Sequence, residues 1–291
     1  MSGGQRAGSV LITGATDGLG KAAALLLSER GYRVFAAGRS PEKRAQLEAI
    51  ARVKKLPLEA LELDVCNDES VRAAVNHVLA KAGAIDVLVN NAGIGHMGTI
   101  EDLLIEDWRR QFETNVFGVL RVTQAALPSM RKRRRGRILM MSSVAGLVTV
   151  PAQGAYSASK HALEGLTNAL RLEMFPFGIE VILIEPGYIA TGMQQAAAEL
   201  TGAYQEKFRT SPYATLYAQF VGSAKKARAK SKTTPEDCAR VMLRAIETPR
   251  PKPRYGVTPL AAFVKWGKRL LPDSAVDTLV RRRLGIHREP Q

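Results

Sequence analysis

Val10-Leu-Ile-Thr-Gly-Ala-Thr-Asp-Gly-Leu-Gly-Lys-Ala-Ala-Ala-Leu-Leu-Leu27 decides the fold. An apolar run, a glycine-rich turn and a helix-forming run follow one another directly, which reads as strand, tight turn, helix. Gly14 allows the turn, Gly18 lets the backbone approach a ligand, and Gly20 lets helix and strand pack closely. The helix N-terminus then offers free N–H groups to an anion such as a pyrophosphate. Thr13, Thr16, Asp17 and Leu19 complete the turn. Its spacing is GxxxGxG rather than the commoner GxGxxG, and such a turn on its own is matched by ordinary loops.

Further apolar runs follow at Val34 to Ala37, Leu58 to Leu63, Val87 to Asn90, Ile138 to Ser142 and Val181 to Ile184, alternating with helical stretches. That alternation is the pattern of a doubly wound parallel sheet covered by helices on both faces, an α/β fold. Ligands in open α/β sheets bind beyond the carboxyl ends of the strands. Gly14, Asp64, Asn90, Ser143 and Pro186 all fall at such ends and are expected to converge on one crevice. In Tyr156-Ser-Ala-Ser-Lys160, three intervening residues place both side chains on one face of a helix. An ammonium near a phenol stabilises the phenolate, so Tyr156 is expected to have a lowered pKa and to act as general acid or base. The pair by itself would suit a surface helix equally.

The set as a whole resembles the short-chain dehydrogenase/reductase family of the single-domain type. Besides the turn and the Tyr/Lys pair, the matching residues are Asp64-Val65, Asn90-Asn91-Ala92-Gly93, Asn115, Ser142-Ser143, Pro186-Gly187, Ile189 and Thr191. The resemblance implies a Rossmann-type sheet. It also implies proton transfer by Tyr156, a hydrogen bond from Ser143 to the reacting oxygen, and a Lys160 that tunes Tyr156 and holds the nicotinamide ribose. Asn115 would anchor a water linking Lys160 to solvent. Cofactor contacts are implied for Thr13, Gly14, Thr16, Asp17, Gly18, Leu19, Gly20, Asp64, Val65, Asn91, Ala92, Gly93, Pro186, Gly187, Ile189 and Thr191, together with Tyr156 and Lys160. The spacing to Tyr156 selects Ser143 over Ser142.

Cofactor choice turns on Arg33-Val-Phe-Ala-Ala-Gly-Arg-Ser40, where no acid is present to bind ribose hydroxyls and Arg39 is suited to a 2′-phosphate. NADP(H) is favoured and NAD(H) is the alternative. Asp17 stands where many NADP(H)-dependent relatives carry a basic residue, so its carboxylate either faces solvent or weakens the preference. Leu183-Ile-Glu-Pro-Gly187 and Ser157 to Gly165 resemble the 17β-hydroxysteroid and retinol dehydrogenase branch. A small apolar alcohol or carbonyl substrate is implied. The alternatives are a 3-oxoacyl (carrier-protein) reductase and a noncatalytic dinucleotide sensor or scaffold.

The expected organisation is a flexible tail 1–8, a catalytic domain 9–258 containing a substrate lid 188–232, and a C-terminal helical extension 259–291. Lid aromatics Tyr204, Phe208, Tyr213, Tyr217 and Phe220, with Leu216, would either wall a pocket or pack only among themselves. His96 and Met97 would touch substrate, or His96 would lie at the surface. The two cysteines, Cys66 and Cys238, and the four histidines suggest neither a disulfide nor a metal site. The net charge of +15 concentrates in Arg131–Arg137, Lys225–Lys232 and Arg281–Arg283, with the first run read as the loop entering the fifth strand. Such runs are solvated faces or attract anions without sequence-specific nucleic-acid binding. A homodimer or homotetramer is expected through helices at Glu106 to Met130 and Tyr156 to Phe175. The N-terminus is too short and polar for a secretory signal, so the chain is expected to be cytoplasmic. The apolar stripe in 259–272, with Trp266 at its edge and Lys265, Lys268 and Arg269 nearby, would either cover the protein's own core or dock on an anionic bilayer.

Overall fold

The computed structural model describes residues 8–189 and 205–287. Of the expectations above, the tail before Gly8, Thr191, Tyr204 and the side chains of Lys265, Trp266, Lys268 and Arg269 lie outside the described residues. The chain enters β1 (Ser9–Ile12), buried along its whole length, and turns into α1 (Gly18–Glu29). Gly14 and Gly18 hold φ values of +61° and +52°, where a Cβ is strained. A Cβ on Gly14 would also sit 2.9 Å from the Cα of Ala92. β2 (Arg33–Gly38), α2 (Pro41–Val53), β3 (Leu58–Glu62), α3 (Asp68–Ala82) and β4 (Val87–Asn90) follow. Next come α4 (Ile105–Phe112), a π-turn (Glu113–Phe117), α5 (Gly118–Arg133), β5 (Gly136–Met141), α6 (Gly154–Met174) and β6 (Ile179–Glu185). The described remainder is α7 (Gln205–Thr210), α8 (Ala214–Lys230), α9 (Pro235–Glu247), β7 (Arg254–Gly256), α10 (Pro259–Leu270) and α11 (Asp273–Leu284).

Seven strands form one sheet in the order β3-β2-β1-β4-β5-β6-β7, and every pairing is parallel. Winding reverses between β1 and β4, so the crevice beyond their carboxyl ends is the ligand position of a doubly wound sheet. Strand side chains alternate between two cores. Leu11, Phe35, Leu88, Ile138 and Leu183 face α3, α5 and α6. Val10, Ile12, Val34, Val89, Leu139 and Ile182 face α1 and α9, where Cys238 is buried. With both faces covered, the strands read as continuous apolar runs.

Three expectations change. β7 was not anticipated, because Arg254-Tyr255-Gly256 is too short and polar to show strand periodicity; it forms by pairing with β6. The stretch from Glu106 to Met130 is not one α-helix, since a π-turn at Glu113–Phe117 interrupts it. Only Arg134 and Arg135 of the basic run form the loop entering β5: Arg131–Arg133 close the last turn of α5, a favourable place for cations. Arg137 lies in β5 and donates to the C-terminal carbonyls of Ala245, Ile246 and Thr248 on α9. Those contacts satisfy a helix end that would otherwise be bare.

Candidate active site

The turn between β1 and α1 is stitched to the end of β4. Thr13 Oγ1 accepts the Asn91 and Ala92 N–H groups at 3.0 Å each, and Asn91 Nδ2 donates to the carbonyls of Thr13 and Gly14 at 2.9 and 3.0 Å. Thr13 and Asn91 therefore shape the cradle with their side chains. A Cβ on Gly20 would lie 2.4 Å from the Gly14 carbonyl oxygen, so only glycine permits this approach of helix to strand. The cradle is open to an anion at the N-terminus of α1 and fits a dinucleotide pyrophosphate. The Asp17 carboxylate is exposed, as one reading expected, but it does not stand as a lone negative charge. It caps α1 through the Gly18 N–H at 2.7 Å and pairs with Lys43 Nζ at 2.6 Å. The Lys43 hydrogen bond leads the causes that lower its pKa.

Beside this turn, Arg39 extends from the end of β2 with an exposed side chain, 3.9 Å from Asp64 Oδ2. Asp64 in turn accepts the Cys66 N–H at 3.0 Å, which fixes the bend after β3. Val65 is buried, and a Cβ on Gly118 would meet its Cγ2 at 2.7 Å. Thr16 fills the space over Gly38, where a Cβ would approach its Cγ2 to 2.6 Å. Sequence reading passed over Lys43, because a Lys at the start of a helix has no signal of its own.

Beyond β4, β5 and β6 the catalytic candidates meet. Ser143 follows β5 and starts the turn Val144–Gly146, with its Oγ accepting the Ala145 N–H at 3.1 Å. Its hydroxyl also faces the Tyr156 phenol and favours its ionised form. Tyr156 and Lys160 occupy adjacent turns of α6, with Lys160 Nζ 5.7 Å from the Tyr156 ring centroid. Lys160 is buried and donates to the Met141 carbonyl at 2.7 Å. Asn115 sits in the π-turn, fully buried, exchanging bonds with the Ile94 N–H at 2.9 Å and carbonyl at 3.0 Å and donating to Ser159 Oγ at 3.1 Å. The π-turn thus aims an amide at the segment after β4. Gly93 lies between, where a Cβ would be 3.2 Å from Asn115 Oδ1 and 3.9 Å from Lys160 Nζ. Pro186 accepts the Val144 N–H at 3.0 Å, tying the Pro186-Gly187 bend to the Ser143 turn. Ile189 is buried just beyond it.

The electrostatics correct one expectation. The Tyr156 phenol is pushed up, not down: burial dominates, and the Ser143 hydroxyl opposes it. Lys160 is itself pushed down to about 8 by burial, with Glu164 pulling the other way. His96 is also not a surface residue. It is buried with Nδ1 3.8 Å from Asp107, and burial lowers its pKa.

Part of the expected lid is seated on the loop after β4. Phe208 and Tyr217 stack with centroids 3.9 Å apart and pack with Ala152, Met97, Tyr213 and Phe220. Tyr217 OH donates to Asp102 Oδ2 at 2.8 Å, as does Ser211 Oγ. Tyr213 OH donates to Glu101 at 2.6 Å. These aromatics therefore do not pack solely among themselves; they dock on the segment Met97 to Asp102.

Residues 8–201 match the family model described as short chain dehydrogenase. The chain is 37% identical over 276 residues to 3-ketodihydrosphingosine reductase of Bacteroides thetaiotaomicron, covering 94% of this chain and 96% of that protein. It is 35% identical over 257 residues to human 17-beta-hydroxysteroid dehydrogenase type 1, covering 86% and 77% respectively. A solved short-chain dehydrogenase/reductase from Burkholderia phymatum, in complex with NAD, superposes with a TM-score of 0.78 at 26% identity, over 95% of this chain and 97% of that one. The glycine cradle, the doubly wound sheet and these likenesses agree: the chain belongs to the short-chain dehydrogenase/reductase family, oxidoreductases that act on alcohol and ketone groups.

Proposed function

We propose that this protein is an NADPH-dependent reductase of a ketone carried on a lipid-like, apolar molecule. The observation that carries the reading is the convergence of Ser143, Tyr156 and Lys160 at the strand ends beside the glycine cradle. In the reduction direction Tyr156 donates its proton to the carbonyl oxygen, and Ser143 hydrogen-bonds the same oxygen. A phenol whose pKa is raised by burial stays protonated through neutral pH, which is the form a proton donor needs. A bound nicotinamide would supply the hydride to the carbonyl carbon. Lys160 supplies positive charge beside the phenol, and Asn115, held by Ile94 and Ser159, keeps the segment after β4 open toward it.

Two cations support the choice of NADPH. Arg39 offers a guanidinium where an NAD-binding protein would place an acid, and Lys43 neutralises Asp17 next to it. The lipid-like substrate is supported by the reductase of Bacteroides thetaiotaomicron, whose likeness runs through the C-terminal helices as well as the sheet. A panel of long-chain, steroid and retinoid ketones with NADPH and with NADH, followed by nicotinamide absorbance, tests the reading. Turnover of a long-chain ketone with NADPH is expected; NADH preferred with every ketone, or turnover of polar ketones alone, would overturn it.

We further propose that the protein is a homo-oligomer paired through α4, α5 and α6. Phe117 is half exposed and borders a groove with Trp108 and Phe112, and Leu172 on α6 and Phe175 just after it stand out into solvent. An isologous pairing would cover this surface; a strictly monomeric mass in light scattering would refute it. Peripheral contact with anionic membranes is supported by α10, which packs against the turn Val144–Gly146 while exposing Phe263 and Leu270.

A further inference from the structure

Behind the catalytic candidates lies a cluster of charge that the reaction as described does not use. Glu164, one turn after Lys160 on α6, is 6% exposed, and Glu185, the last residue of β6, is 1% exposed. Both carboxylates bind the same guanidinium: Arg254 Nη1, from β7, is 2.5 Å from Glu164 Oε2 and 2.5 Å from Glu185 Oε1. Arg254 Nη2 also donates to Asn168 Oδ1 at 3.3 Å. The buried Ser142 hydroxyl lies near Glu164, and neither Ser142 Oγ nor Glu164 Oε1 has a hydrogen-bond partner. The turn after Ser143 rests directly on this pair. A Cβ on Gly146 would be 2.8 Å from Ser142 Oγ and 3.1 Å from Glu164 Cγ.

Burial pushes the Glu164 carboxyl up, with Arg254 opposing it; with both carboxylates ionised, one arginine between them leaves a net negative charge, and a buried charge without a counter-ion is costly. The cation that balances it is Lys160, which is 4% exposed and whose hydrogen-bond acceptor is a neutral carbonyl. Lys160, Glu164, Arg254 and Glu185 therefore form a neutral quartet drawn from α6, β6 and β7, with Arg254 alone reaching partway to solvent. We propose that Glu164 is a positioning residue for the reaction: its carboxylate, pinned by Arg254, is the fixed counter-ion that keeps Lys160 an ammonium behind Tyr156. The same contacts anchor Glu185, and with it the Pro186-Gly187 bend at the site.

The remaining groups around the quartet do not supply this charge. Tyr156 faces Lys160 from α6 as a neutral phenol, β5 contributes the Met141 carbonyl and the neutral Ser142 and Ser143, and the π-turn contributes the neutral Asn115. Arg171, farther along α6, feels Glu164 and Arg254 but adds positive charge. Lys160 is held at about 8 with Glu164 raising it against burial. Its ammonium form is lost as pH rises through that value, and without Glu164 it would be lost at lower pH.

The test is the pH profile of ketone reduction by the holoenzyme, together with the pH dependence of cofactor binding measured by fluorescence. Glu164→Gln is nearly isosteric, and its alkaline limb should move down by about one pH unit, with roughly fivefold less activity at the wild-type midpoint. Glu164→Asp, which keeps the charge, should bring the limb most of the way back. If Glu164→Gln does not fold, Glu185→Gln removes the same unit of charge one partner farther away and should shift the limb in the same direction by less. A limb that stays in place in Glu164→Gln or, failing that, in Glu185→Gln, or one that moves equally in Glu164→Asp, overturns the proposal. The inference rests on the proposed roles of Tyr156 and Lys160, and the two fail differently. Turnover that survives Tyr156→Phe would sink those roles, whereas turnover that needs Tyr156 but ignores Glu164 would sink this inference alone.

Discussion

Tyr156→Phe removes one oxygen atom and leaves the ring that lies near Lys160 in place. Because that oxygen is the proposed proton donor, turnover should fall by roughly a hundredfold to ten-thousandfold, while cofactor affinity measured by fluorescence titration changes little. Activity within tenfold of wild type would mean that another group delivers the proton. Arg39 provides a second residue-scale test. Its exposed guanidinium stands 3.9 Å from Asp64, so Arg39→Asp deletes a phosphate partner and adds a ribose acceptor. A charge-assisted bond contributes about 1.5 to 3 kcal/mol, which is roughly ten- to a hundredfold in the ratio of kcat/KM for NADPH over NADH. An unchanged ratio would assign the phosphate to other cations, Lys43 first.

At the scale of elements, docking of α7 and α8 on the loop after β4 centres on the Asp102 carboxylate, with Glu101 adding a bond from Tyr213. Asp102 Oδ2 accepts from Thr99 Oγ1 at 3.0 Å, Ser211 Oγ at 2.8 Å and Tyr217 OH at 2.8 Å. Asp102→Ala should therefore detach these helices before it affects the sheet, since each hydrogen bond to a charged group contributes about 1.5 to 3 kcal/mol. Faster tryptic cleavage within Lys225–Lys232 and a raised KM at nearly constant kcat are expected. Unchanged cleavage would show that the aromatic stack of Phe208 on Tyr217, with the Tyr213–Glu101 bond, suffices to hold the helices. The lid's aromatics were legible as a group, but their docking was not. Tyr217 and Asp102 are 115 residues apart, and no local pattern pairs them.

For the whole molecule, the net charge of +15 and the exposed apolar side chains of α10 belong to one expectation. Phe263 is 67% exposed and Leu270 76%, and exposed Arg281–Arg283 end the neighbouring α11. An amphipathic helix with cations close by binds anionic bilayers through apolar burial and electrostatic attraction together. Co-sedimentation with vesicles containing phosphatidylserine, but not with phosphatidylcholine alone, is expected. High salt and Phe263→Asp with Leu270→Asp should each abolish it. Absence of binding at low salt would leave α10 as a cover for the turn Val144–Gly146.

The glycine turn, the six longer strands and the Ser143, Tyr156 and Lys160 spacing were determined by local sequence. Each depends on contacts within a few residues: a positive φ at Gly14, alternating burial along a strand, or one helical turn between Tyr156 and Lys160. Tertiary structure decided what those residues become. Burial reverses the expected shift of Tyr156, a π-turn breaks the helix that bears Asn115, and a residue of α2 neutralises Asp17. It also brings Arg254, 90 residues from Glu164, into a part-buried ion pair behind Lys160. Desolvation and long-range charge pairing depend on which surfaces the fold places together, and that information is spread over the whole chain rather than written in any one stretch of it.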